Sequence, residues 1–352
     1  MKYPLLVSNP ANIFYLTNIT VDPRDAWVLL TETATYFFTD ARFKDILNNI
    51  AHSKKLSITN TPIIACEISS TQPMSASVQK ILSVNASTTL YFEADNITVA
   101  ELKILKSKIT ASFRPCSDDL SLMRQIKQKQ EISKIRNACA TIDACLADIA
   151  HLVRVGLTEY EIAFKLDSWL REKGFASAFP PIVAIDEHAA IPHFNTQLHG
   201  TKKITKNCII LIDAGAKVDG YCSDISRMFT IGSPSDAFMN DYHNLLEAQE
   251  KTIHELSSQK EYRDVDLFCR KQLATHQIEP YAHATGHGIG IEVHEKPYVG
   301  FNSKDLIKPG HVVTIEPGIY KEGLYGMRIE DTIYVNAEGN PEILTLFPKK
   351  LN

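Results

Sequence analysis

The chain has 352 residues, 44% of them hydrophobic and 22% charged, with a formal net charge of −4. That length suits two domains or one large one. The mild acidity, with no Lys/Arg block or basic stripe, argues against nucleic acid as a partner, and the longest apolar run, at residues 209–212, is far too short to cross a bilayer.

The opening residues, MKYPLLVSNP, turn polar too early for a signal peptide. Seven cysteines are scattered without a Cys-x-x-Cys pair. They read as small buried residues with free thiols, so a reducing, cytoplasmic setting is expected. Along residues 1–116 strands and helices alternate. WVLLT (27–31), TYFFTD (35–40) and TTLYFEAD (88–95) are strand-like, and residues 42–50 and 99–109 are helical. FRPCSDD, at 113–119, is a polar break with a proline, and a domain boundary is expected after residue 116.

Residues 117–352 form the second expected domain. Ile135, Cys139, Ile142, Leu146 and Ile149 recur at steps of four and three, which puts them on one face of a long helix. Thr158 and Glu161 have capping-box spacing ahead of the stripe Ile162, Leu166, Trp169 and Leu170, and Gly174 stops that helix. Two more helices follow at 236–256 and 265–275. The best strands are 209–213, 226–231, 312–316 and 328–335. No solenoid period is present. The fold class is α/β (α+β), with helices covering an extended sheet.

Ionisable residues sit where apolar runs lead to burial. Asp213 ends the run Ile209, Ile210, Leu211, Ile212, and Asp224 follows a Val-Asp-Gly turn. Glu316 ends VVTI, Glu330 follows Ile329, and His287 lies in the Gly-rich loop ATGHGIG. Any one of these alone reads as a strand-end or surface residue, and Glu330 as half of a salt bridge. Together they change the balance, because four crowded carboxylates cannot all stay ionised unaided. Two divalent cations would neutralise them, and oxygen-rich ligation with one imidazole suits manganese, cobalt or zinc rather than a structural zinc.

These segments carry a resemblance. FPPIVAIDEHAAIPHF, LIDAGAKVDGYCSDISRMF, HATGHGIGIEVHEKP, VVTIEPGIY and MRIEDTIYV, ordered across residues 179–335, resemble the M24 metallopeptidases, the creatinase/methionine aminopeptidase "pita-bread" superfamily. The chain is most similar to the proline-specific branch, aminopeptidase P and Xaa-Pro dipeptidase (prolidase). NIFYLTNI and TDARF resemble the creatinase-like N-terminal domain of that family. The resemblance implies a smaller α/β N-terminal domain at 1–116. It implies a pita-bread catalytic domain at 117–352, with a curved, largely antiparallel sheet. It makes Asp213 a ligand of one metal, His287 and Glu316 ligands of the other, and Asp224 and Glu330 bridging ligands. The cations expected are two Mn2+, with Co2+ or Zn2+ as alternatives. His193, His283 and His294 match non-ligand active-site histidines, Arg328 a neighbouring hydrogen-bonding arginine, and Tyr320 a supporting residue.

The implied reaction is hydrolysis of the bond between an N-terminal residue and proline, by a hydroxide shared between the metals. His294 would stabilise the oxyanion, Glu316 would pass a proton to the leaving nitrogen, and His193 would hold the substrate. His193, His283, His294 and Arg328 form the expected substrate-binding set. Proline lacks an N–H and fixes its φ, which defeats proteases that grip an extended backbone. Expected partners are small peptides with proline second and a second copy of the chain, with no nucleic acid and no membrane. Aminopeptidase P-like activity is preferred over dipeptide-only prolidase activity, in which Arg328 or His283 would hold a C-terminal carboxylate. Methionine aminopeptidase normally lacks so large an N-terminal domain, creatinase lacks the ligands, and a non-catalytic binding module would carry broken ligands. One departure is Asp186-Glu187, whose extra charge is expected to reshape the substrate mouth.

Overall fold

Residues 1–53, 58–116 and 119–351 are described by the structure, a computed structural model. They form two compact units, Met1–Arg124 and Gln125–Asn352. The division falls beyond the expected break at 113–119, of which Ser117 and Asp118 lie outside the described residues.

The first unit is built on six strands: β1 (Leu5–Val7), β2 (Ala26–Leu30), β3 (Thr35–Asp40), β4 (Ile63–Ile68), β5 (Thr89–Phe92) and β6 (Ser112–Pro115). Their order is β4-β3-β2-β1-β5-β6. Only the β1–β2 and β2–β3 pairs are antiparallel. Period-two alternation fills both faces. Leu5, Val28 and Phe37 pack into one cluster, while their neighbours Leu6, Leu29 and Phe38 pack into the other. Helices α1 (Pro10–Thr17), α2 (Lys44–Ser53), α3 (Met74–Val84) and α4 (Val99–Lys108) belong to this unit. Sequence reading finds none of β1, β4 and β6: LLV is short, the IIACEI of β4 lacks alternation, and β6 takes up the start of the expected polar break at 113–119 by pairing with β5. A further helix, α5 (Asp119–Gln125), spans the division.

In the second unit α6 (Lys129–Ala150) buries its expected stripe, and α7 (Glu159–Glu172) opens on a complete capping box between Thr158 and Glu161. Next come β7 (Ala176–Ser177), β8 (Ile182–Ile185), the short helix α8 (Thr196–His199), β9 (Cys208–Ala214), β10 (Ala216–Val218), β11 (Tyr221–Cys222) and β12 (Ile225–Ile231). Helices α9 (Asp236–Glu255) and α10 (Tyr262–Thr275) precede β13 (Gly286–Gly288), β14 (Glu295–Val299), β15 (Val312–Ile315), β16 (Gly318–Lys321), β17 (Tyr325–Arg328), β18 (Asp331–Val335) and β19 (Pro341–Ile343). The sheets here are antiparallel: β12-β9-β8, β14-β13-β15-β18-β19, β11-β10-β7 and the hairpin β16-β17. Strand β9 is buried on both faces, as its unbroken apolar run requires. Ile210 and Ile212 meet α6 and α7, while Ile209 and Leu211 meet α9.

Three expectations need correction. Residues 328–335 are not one strand: Arg328 ends β17, Asp331 begins β18, and Ile329 and Glu330 lie in the break. There the Ile329 N–H donates to Pro317 O and the Glu330 N–H to Ser226 O, so the chain leaves one ladder before joining the next. His287 sits in a short strand, β13, rather than a loop. Six of the cysteines are buried as expected, but Cys66 is only partly so. Among the described residues no helix is long and apolar enough to cross a membrane.

Candidate metal centre and active-site cavity

Two antiparallel ladders end at the same place. Asp213 lies opposite Ser226 on the β9–β12 ladder. On the β15–β18 ladder Ile315 pairs with Asp331, so Glu316 and Glu330 emerge together at that end. The tie between the ladders is the Glu330 N–H to Ser226 O bond, 3.2 Å long. His287 enters from β13, which packs closely against β15. A Cβ on Gly286 would meet Thr314 O at 1.9 Å, so only glycine fits beside the histidine.

All of the expected site residues, His193, Asp213, Asp224, His283, His287, His294, Glu316, Arg328 and Glu330, line one cavity of about 290 Å3. Ligand atoms of Asp224, His287 and Glu330 lie within 4.8 Å of one another. His287 Nε2 is 3.2 Å from Glu316 Oε1 and 3.7 Å from Asp224 Oδ2. Its Nδ1 is 3.1 Å from Gly288 O, which can only accept, so Nδ1 carries a proton and Nε2 is the nitrogen turned toward the carboxylates.

The electrostatics mark the place as built for cations. Burial, then the neighbouring carboxylates, hold the Asp224 and Glu330 carboxyls well above the usual range. Burial also raises Asp213, against the pull of Arg328. Burial opposes charge on Glu316 and His287 as well, but their mutual contact wins, lowering the carboxyl and raising the imidazole. Asp213 Oδ1 and Asp224 Oδ1 are buried without a hydrogen-bond partner. An orphaned buried carboxylate oxygen is costly, and a divalent cation satisfies it. The donors, carboxylates with one imidazole, fit such an ion.

Arg328 is buried, and every nitrogen of its guanidinium is engaged by the protein. Nε donates to Ser226 Oγ (2.9 Å), Nη1 to Tyr320 Oη (3.0 Å) and Pro192 O (3.3 Å), and Nη2 to Asp213 Oδ2. Tyr320 passes the network on. Because His283 Nδ1 donates to Ala284 O (2.7 Å), its Nε2 accepts from the Tyr320 hydroxyl (2.9 Å). Both nitrogens of His283 are thereby used, and burial keeps its pKa low. His193 and His294 differ. Both are exposed to the cavity, and neither hydrogen-bonds another described residue; His294 meets His287 edge to face, with ring centroids 4.4 Å apart.

Sequence reading misses the supports. Ser226 Oγ accepts from Arg328 and donates to Glu330 Oε2 (2.8 Å), and its signal is a serine on the buried strand β12. Thr314 Oγ1 accepts from the His287 N–H and donates to Glu316 Oε1. Glu159, fully buried, accepts from the Ile185 N–H and binds His188 Nδ1, both at 2.8 Å, and His188 stacks on Phe194 beside His193. The expected effect of Asp186-Glu187 is not found. Neither residue lines the cavity. Lys202 pairs with both, and Asp186 also accepts from the Ile209 N–H, so one of their two charges is offset and both carboxylates are engaged outside the cavity lining.

Comparisons with known proteins agree with this geometry. Metallopeptidase family M24 matches residues 133–337, and the Creatinase/Prolidase N-terminal domain matches residues 4–126. The chain belongs to metallopeptidase family M24, with a creatinase-like N-terminal domain and a pita-bread catalytic domain, and is a metal-dependent peptidase. It is 34% identical over 263 residues, 74% of each chain, to an uncharacterized peptidase of Staphylococcus aureus (strain USA300). Among solved structures, an Xaa-Pro dipeptidase from Bacillus anthracis has a TM-score of 0.87 and 32% identity, covering 99% of this chain and 94% of that one. An X-Pro aminopeptidase from Thermotoga maritima has a TM-score of 0.87 and 28% identity, covering 99% and 96%. The prolidase from Pyrococcus horikoshii has a TM-score of 0.84 and 27% identity, covering 99% and 95%.

Proposed function

We propose that this peptidase hydrolyses the bond between an N-terminal residue and proline, as an Xaa-Pro aminopeptidase. The observation that carries this reading is the gathering of every expected site residue around one cavity. Asp213 and, with Glu316, His287 would each hold one of two divalent cations, and Asp224 and Glu330 would face both. When bound, these cations, with Mn2+ the first to test, supply Lewis acidity and lower the pKa of water. His294 and His193, with no hydrogen bond to another described residue, are the imidazoles free to act: His294 donates to the carbonyl oxygen as charge develops, and His193 holds the substrate carbonyl in line. Glu316, through Oε1 or Oε2, carries the proton toward the proline nitrogen. Arg328 and Tyr320 act behind these groups, fixing Asp213 and His283. Homodimerisation and a cytoplasmic location remain part of this proposal.

A second reading, Xaa-Pro dipeptidase, is favoured by the names of the Bacillus anthracis and Pyrococcus horikoshii proteins. It needs a cation for the substrate's C-terminal carboxylate. Against it, Arg328, the guanidinium lining the cavity, has four of its five N–H donors committed to the protein. The test strips the protein with chelator, restores Mn2+, Co2+ or Zn2+, and offers Ala-Pro, Ala-Pro-Gly and Ala-Ala-Gly. Cleavage of Ala-Pro-Gly with Ala-Ala-Gly spared is expected; cleavage of Ala-Pro alone would transfer the assignment to the dipeptidase, and no cleavage with any ion would refute both.

A further inference from the structure

A second hollow of about 420 Å3 lies beside the catalytic cavity, and Phe179 lines both. Its walls are the outer face of α7, the strand β7 and the Pro180-Pro181 segment. Three features set it apart from ordinary surface. Tyr160 and Phe164, one turn apart on α7, are 49% and 61% exposed, and both rings line it. Strand β7 is the outer edge of its sheet: it pairs with β10 on one side and with no described strand on the other. Ala176 and Ser177 of that edge line the hollow, so unpaired backbone groups lie alongside the exposed rings. The join is firm, because Phe179 packs over Gly215, where a Cβ would meet its ring at 2.8 Å, only two residues from Asp213.

An extended peptide fits these features. At about 290 Å3 the catalytic cavity is at the small end of ligand pockets, with room for the two residues flanking the cut bond. If cleavage follows the first residue, everything beyond the cavity belongs to the downstream part of the substrate. An open strand edge next to exposed aromatic rings is the surface that takes an added strand and its side chains. We propose that this groove binds the residues following proline in longer peptides, which makes peptides of five or six residues the preferred substrates. The proposal rests on the aminopeptidase reading and names the length class that reading leaves open.

The test uses the full chain loaded with Mn2+ and a series Ala-Pro, Ala-Pro-Gly and Ala-Pro-Gly-Leu-Phe-Ala. Phe164→Ser is the variant of choice, because the ring is exposed and its loss should leave folding intact. The proposal expects KM to fall about five- to tenfold from the tripeptide to the hexapeptide, and Phe164→Ser to abolish that gain while leaving the tripeptide unchanged. Equal KM at both lengths, or an equal rise for both substrates in the variant, would overturn it. So would a change in the variant's molecular mass by light scattering, since a second copy of the chain would then be what covers the groove. Hydrolysis of Ala-Pro alone would overturn the groove while leaving Xaa-Pro chemistry standing. Failure on every substrate would instead remove the functional reading beneath it.

Discussion

Asp331 stands directly behind Glu330 and is fully buried. Its carboxylate receives Arg227 Nη2 (2.7 Å), Lys349 Nζ (2.7 Å), Gln249 Nε2 (2.8 Å) and Thr345 Oγ1 (3.0 Å). Burial works to raise its pKa, but Arg227 and Lys349 overcome this and hold it below the usual range. Asp331→Asn keeps the shape and removes the charge. Lys349, partly exposed, can turn to water, but the Arg227 side chain is 2% exposed and cannot. Breaking a buried pair by removing one partner costs about 3–5 kcal/mol, since the remaining charge stays buried. For a unit of this size that is a fall in Tm of roughly 6–20 °C. The surface pair Arg136–Glu342 is the control. Its two bonds are as short, 2.5 and 2.6 Å, but its side chains are 41% and 43% exposed, so Glu342→Gln should cost about 0–1 kcal/mol. Urea titration and thermal scans of both variants decide the matter. A loss below about 1 kcal/mol for Asp331→Asn, or one matched by Glu342→Gln, would refute the argument that burial rather than bond length sets the value.

His311 is buried beside Tyr262, and burial, then Lys127 and Lys308, push its pKa down to about 3. A depressed histidine stabilises the fold above its unfolded value and loses that contribution as pH falls, so between about pH 6.5 and 3 His311→Gln should flatten the acid loss of stability by about 1.4 kcal/mol per pH unit. An unchanged slope in urea titrations across that range would contradict this. Chelation should lower Tm more at pH 8 than at pH 5.5, because the raised carboxyls Asp213, Asp224 and Glu330 keep stabilising protons at low pH that they lose as pH rises; an equal fall at both values would count against that charge balance. Glu159→Gln should slow Xaa-Pro hydrolysis about tenfold by loosening the His188–Phe194 stack beside His193, and should add little once His193→Ala is present. Additive losses in this double-mutant cycle would refute the route through His193.

How much of this was legible in the sequence depends on the range of the interaction. Strand β9 was readable because both its faces are apolar, and α7 because capping box, stripe and stop lie within a few residues of one another. The proposed ligands were readable for a related reason: Asp213 and Glu316 each end an apolar run, which is a local contradiction, and Asp224 after its turn and Glu330 after Ile329 join them in the matching segments. What stayed hidden was set by partners far along the chain. The run 328–335 looks like one strand, yet it is cut where Glu330 must reach Ser226, 104 residues away in sequence. Asp186-Glu187 looked like added charge at the mouth because Lys202, which pairs with both and offsets one of the two charges, is separated from them by a turn and α8. Arg328 shows the same limit from the functional side. Its place two residues before Glu330 marked it as part of the site, but only the fold reveals that Asp213, Ser226, Tyr320 and Pro192 occupy four of its five N–H donors. A buried guanidinium with four of its five N–H donors committed to the protein cannot offer its fork to a substrate carboxylate, so the residue that the sequence offers for dipeptide recognition fits instead the proposed task of orienting Asp213.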